Sequence, residues 1–171
     1  MKKIHVMPIM GLSNEVLQDV CTSAFIGISG VSPRLSRVKL YDNWCAISFA
    51  DVENPDMESA FSIDHALLIK KFITELPDDI TDLYICCDSG ESRSPAVAAA
   101  LLTAMGKKDS IVWENPYYKP NCLVYKLMRR AFGIEIEQEE IYQKRKDNEC
   151  ALSRTIENAD CRNFKRWSTY E

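Results

Sequence analysis

The stretch 83–106 constrains the fold more than any other part of this 171-residue chain. It opens on the apolar run Leu83, Tyr84, Ile85, Cys86, crosses a segment of small and polar residues, and continues from Pro95 into a nearly unbroken Ala, Val and Leu series that stops at Gly106. A short apolar run of this kind is a strand. An alanine-rich run with proline in its first turn and glycine beyond its end is a helix. Both are apolar all round, so both must be buried, and the segment joining them lies at the end of a central strand.

The rest of the chain repeats the alternation. Apolar runs at 3–7, 24–28 and 44–49 read as further strands. Helical spacing is expected at 14–22, at 57–76 with a stripe of Phe61, Ala66, Leu68, Ile69, Phe72, Ile73 and Leu76, and at 123–132. Pro77, Asp78 and Asp79 end the second of these, and residues 115–121, with two prolines and two tyrosines, read as a loop. Strands alternating with helices predict an α/β fold, a mostly parallel central sheet with helices on both faces. One domain spanning 1–171 is expected, with 137–171 as its charged helical C-terminal extension running into a tail. Ligands in such sheets bind where strand ends hand over to helices, which selects residues 85–95.

Composition narrows the function. With 25 acidic against 21 basic residues the chain carries no footprint for gripping nucleic acid. No apolar run reaches bilayer length and the N-terminus lacks a secretory apolar segment, so a soluble, cytoplasmic protein without membrane partners is expected. Seven cysteines at irregular spacing read as reduced thiols, and with no pair of Cys-x2-Cys knuckles and only His5 and His65 as histidines, neither a metal nor a cofactor is expected.

The joining segment reads Cys87, Asp88, Ser89, Gly90, Glu91, Ser92, Arg93, Ser94, Pro95. A thiol at a strand end, facing the start of a helix, feels the helix dipole and the free loop amides, and both favour its thiolate. The amides of residues 88–93 would cradle a tetrahedral oxyanion, with Gly90 letting the backbone close around it. Arg93 would grip two phosphoryl oxygens at once, which lysine does poorly. The Ser94 hydroxyl would donate to the Cys87 sulfur and help it leave from a phosphocysteine intermediate. Ester cleavage also needs a proton for the departing oxygen. Asp51, directly after the strand at 44–49, and Asp56, before the following helix, are the two candidates; strand-end placement favours Asp51, and a helix N-cap is the competing role of Asp56.

The run Cys-Asp-Ser-Gly-Glu-Ser-Arg-Ser over 87–94 resembles the phosphate-binding signature of the cysteine-dependent protein tyrosine phosphatases, most closely the compact dual-specificity group. The resemblance covers residues 44–105 and implies a phosphatase-like fold, a phosphocysteine intermediate, and Cys87, Arg93 and Ser94 as nucleophile, phosphate-binding arginine and assisting hydroxyl. The family usually has histidine before the nucleophile. Here it is Cys86, a small core residue or a redox partner of Cys87. The acidic Asp88 and Glu91 argue for a single aryl phosphate, on phosphotyrosine or a small molecule, over polyanionic substrates. A rhodanese-like sulfurtransferase and a weakly active module that binds phosphorylated partners are the alternatives. Trp113, Tyr117, Tyr118 and Tyr125 line a cleft or pack the core, Lys126, Arg129 and Arg130 form a small basic face that steers phosphoprotein substrates or is simply a solvated helix side, and Tyr170 carries no functional reading.

Overall fold

A computed structural model describes residues 3–12, 20–30, 32–157 and 168–171. The expected helix at 14–22 lies outside them, apart from residues 20–22, which form a bend and turn. Among the described residues five strands make one sheet: β1 (Lys3–Pro8), β2 (Ser23–Ile28), β3 (Trp44–Ile47), β4 (Asp82–Cys87) and β5 (Ser168–Tyr170), in the spatial order β3-β2-β4-β1-β5. β1, β2, β3 and β4 run parallel, as the alternating pattern requires, and β5 runs antiparallel to β1. β4 lies at the centre, buried along almost its whole length, which is why it reads as a continuous apolar run instead of an alternation.

Successive residues of β4 serve two cores. Leu83, Ile85 and Cys87 join Ile4, Val6, Ala24, Ile26 and Ile28 beneath the helices α2 (Ile63–Thr74), α3 (Arg93–Ala104) and α5 (Cys122–Ala131). Tyr84 and Cys86 face the other way, into a smaller cluster with Met7, Phe25, Leu35 and Val38. Among the described residues that second face is covered by the single-turn α1 (Ser32–Leu35) and two 3-10 turns, not by long helices. α3 is the central helix, with every residue from Arg93 to Leu102 buried. A short α4 (Ser110–Trp113) precedes α5, and α6 (Gln138–Glu157) closes the helical layer.

Several expectations are corrected. The helix expected at 57–76 starts only at Ile63, because Ser62 caps it: its hydroxyl accepts the His65 amide while the His65 ring accepts the Ser62 amide, a reciprocal capping pair. Asp56 is therefore not the cap, and residues 50–60 form turns tied by Ala50 N–H to Ser59 O, 2.8 Å. Leu68 falls off the apolar stripe at 55% exposure, while Ala66 and Ile69 are fully buried.

The C-terminal segment is not only a charged helix with a tail. Its last residues return to the sheet as β5, pairing Ile4 with Tyr170, and Tyr170 is buried. Three residues, two of them polar, carry no periodicity from which a strand could be read, whereas β1 in the folded protein offers an edge to be paired. Arg129 is not a solvated cation. At 7% exposure it donates to Glu140 (2.6 Å), the Tyr125 hydroxyl (3.0 Å) and the Glu135 carbonyl (3.1 Å). The Tyr125 hydroxyl in turn donates to Asp109, 2.5 Å away, which also pairs with Lys144 at 2.9 Å, so buried charge fastens α6 to α4 and α5. Trp113, Tyr118 and Tyr125 are core residues. No described helix is long and apolar enough to cross a membrane.

Candidate active site

Cys87 is the last residue of β4, in register with Pro8 of β1 and Ile28 of β2. All three strands end together there, and the chain turns directly into α3. The Cys87 sulfur lies 3.1 Å from the Ser94 hydroxyl and accepts the Gly90 amide at 3.2 Å. The loop curls tightly enough that Gly90 takes φ +77° and backs onto the end of β1, where an added Cβ would stand 2.7 Å from the Pro8 nitrogen and 2.8 Å from the Met7 carbonyl carbon. Only glycine fits. The thiol thus rests at the foot of a closed turn, with the Gly90 amide donating to it and the Ser94 hydroxyl within hydrogen-bond reach.

Arg93 opens α3 and is 6% exposed. One terminal nitrogen donates to the Phe49 carbonyl at 3.0 Å and the other to Asp88 at 2.7 Å, and the guanidinium lies over the Phe49 ring. Its Nε is buried and, among the described residues, makes no hydrogen bond; it is ion-paired at 3.7 Å with Asp51 Oδ2. A guanidinium N–H without a hydrogen bond in the interior is costly, and an anion bound at the loop would relieve it.

Asp88 is the brace behind that arginine. Its Oδ1 accepts from Ser29 at 2.6 Å and Arg34 at 2.9 Å, and its Oδ2 from Arg93. Burial pushes its carboxyl up, but the hydrogen bonds from Ser29, Arg93 and Arg34 outweigh burial and hold it below the usual carboxylate range. Its negative charge is therefore matched by two guanidiniums, and the inference that Asp88 repels polyanions loses its basis. Ser89 and Glu91 are exposed, the Ser89 hydroxyl accepts the Glu91 amide, and the Glu91 carbonyl accepts the Lys119 amide at 2.8 Å.

Asp51 is brought onto the loop. Ser92 donates to its Oδ1 at 2.8 Å and Asn121 Nδ2 at 2.9 Å. Ser92 occupies the N-cap position of α3 yet makes no side-chain cap, so the hydroxyl that would fill that role holds Asp51 instead. Asp56 is exposed in the turn beyond, its amide bonded to Asn54. Asn121 was not among the residues selected from sequence. It is 2% exposed, its Oδ1 caps α5 through the Val124 amide, and its Nδ2 holds both Asp51 and the Val52 carbonyl. An asparagine before an apolar run signals a cap; its second duty depends on contacts 70 residues away in sequence.

Cys86 points into the opposite layer from Cys87, wholly buried, and burial pushes its thiol well up from the ordinary value. Both are free thiols. Adjacent residues of a strand face opposite ways, so Cys86 fills the core and the redox-partner role is not supported. Among the described residues no group of three or more His, Cys, Asp and Glu side chains could hold a metal ion. No family model, curated protein or solved structure matches the chain.

Proposed function

We propose that this protein hydrolyses phosphate monoesters, phosphotyrosine or another aryl phosphate foremost, by the chemistry of the cysteine-dependent phosphatases. The observation that carries the reading is the Cys87 sulfur within reach of both Ser94 Oγ and the Gly90 amide, beside an Arg93 whose buried Nε makes no hydrogen bond among the described residues. The Cys87 thiolate attacks phosphorus, the bond to the ester oxygen breaks, and Asp51 gives that oxygen its proton. Arg93 and the loop amides stabilise the charge gathered on the phosphoryl oxygens. Water, deprotonated by the Asp51 carboxylate, then attacks the phosphocysteine. Inorganic phosphate departs and the sulfur is restored with Ser94 donating to it. The Asp88 carboxylate keeps Arg93 in place throughout, and only its backbone amide faces the phosphate.

The test is hydrolysis of 4-nitrophenyl phosphate by the purified protein. The expected result is turnover inhibited by vanadate and abolished in Cys87→Ser, with Arg93→Lys lowering kcat/KM by about a hundredfold or more. Turnover that survives Cys87→Ser refutes the proposal. Transfer of sulfur from thiosulfate to cyanide without ester hydrolysis would assign the loop to a sulfurtransferase, and phosphopeptide binding with no turnover at any pH would make it a recognition module.

A further inference from the structure

The loop carrying Asp51 has no regular secondary structure, so something outside it must hold the acid in position. Two residues beyond Asp51, Glu53 reaches away from the loop. Its Oε1 accepts the Cys122 amide at 2.8 Å and its Oε2 pairs with Arg145 of α6, whose guanidinium also donates to the Cys122 sulfur at 3.1 Å. Cys122 is the first residue of α5, and its amide is one of the donors every helix leaves unpaired at its start, so a carboxylate there is favoured by both the hydrogen bond and the helix dipole. Burial pushes the Cys122 thiol up, which keeps it neutral beside Glu53.

Asn121 completes the arrangement from the neighbouring position. Its side chain holds Asp51 and the Val52 carbonyl while the Cys122 backbone holds Glu53, so three successive loop residues are tied to two successive residues at the head of α5. Two open cavities of about 350 Å³ each flank the Glu53 and Arg145 pair, one walled also by Pro55, Lys126 and Tyr142, the other by Trp113, Lys119 and Glu149.

We propose that Glu53 and Arg145 are positioning residues, a latch between the Asp51 loop and α6 that presents Asp51 to the leaving oxygen. The proposal rests on the phosphatase reading. It assigns the latch to the protonation step alone: loosening it slows esters that need an acid and spares those that do not.

The experiment compares kcat/KM for phenyl phosphate, a poor leaving group, and 4-nitrophenyl phosphate, a good one, in wild type, Asp51→Asn, Glu53→Ala, Arg145→Ala and Arg145→Lys, across pH and with melting temperatures checked. Glu53→Ala and Arg145→Ala are expected to lose about tenfold on phenyl phosphate and less than about twofold on 4-nitrophenyl phosphate, a partial version of the Asp51→Asn pattern. Both are also expected to weaken the fall of kcat/KM at alkaline pH, and Arg145→Lys to restore most of the loss. Equal losses on the two esters, or wild-type behaviour of Glu53→Ala where Asp51→Asn is leaving-group selective, overturn the latch while leaving the phosphatase reading intact. Activity that persists in Cys87→Ser removes that reading, and the latch falls with it.

Discussion

Replacing Gly90 by alanine tests the geometry on which the whole site depends. The substitution adds one methyl group at a position with φ +77°, where a side chain costs about 1–2 kcal/mol. That methyl would also stand 2.7 Å from the Pro8 nitrogen and 2.8 Å from the Met7 carbonyl carbon. Ordinary contact lies near ~3.5 Å, and both obstacles are backbone, so no rotamer change relieves the overlap and the loop must lift off β1 at a further ~1–3 kcal/mol. A total near ~3 kcal/mol lowers the melting temperature of a chain of this size by about 6–12 °C. Gly133→Ala supplies the control, because Gly133 has the same φ of 77° with nothing within 4 Å of the added atom. It bears only the conformational cost, about 2–8 °C. Lifting the loop also moves the Gly90 amide off the Cys87 sulfur, so vanadate affinity is expected to fall about tenfold or more in Gly90→Ala and to stay unchanged in Gly133→Ala. Scanning calorimetry and vanadate titration decide the matter: two variants that melt within about 2 °C of each other refute the argument that the loop is seated against β1.

Tyr170→Ala should destabilise the fold by about 3 kcal/mol, since the ring is buried in the main core, and a urea titration checks this; a loss under about 1 kcal/mol would mean β5 is not docked in solution. The Asp88 carboxyl sits below its usual range in the folded protein. It therefore contributes stability that is complete above the unfolded value near ~4 and is lost as pH falls through the folded value, so the urea midpoint of Asp88→Asn should decline less between pH 6 and pH 3 than that of wild type. Parallel declines in the two proteins would contradict the bracing role.

How much of this was legible beforehand depends on how local each signal is. Strand β4, the loop after it and α3 were readable because each is written in consecutive residues: an apolar run, glycine in the turn, proline then alanines. The parallel sheet followed from the alternation of such segments. The start of α2 was misplaced because apolar residues at 57 and 61 extend the helical spacing backwards, while the capping pair of Ser62 and His65 ends it in fact. Arg129 was misread since a basic residue on a helix carries no mark of the Glu140 and Tyr125 that bury it.

The sequence by itself singled out Cys87, Arg93 and Ser94 for the proposed chemistry, because they stand at fixed spacing along one turn of chain at the end of an apolar strand. It also left two aspartates as candidates for the proposed acid, Asp51 favoured over Asp56 by its place at a strand end. Only the tertiary structure brought Asp51 onto Ser92 and Asn121, set Asp88 behind Arg93 as a brace, turned Cys86 into the opposite core, and tied Glu53 to Arg145. The physical reason is one of range. Turn and helix preferences act over a few residues and leave their pattern in order along the chain, whereas a carboxylate takes its partner from whatever segment the packed layers carry to it, and that partner's place in the sequence is free.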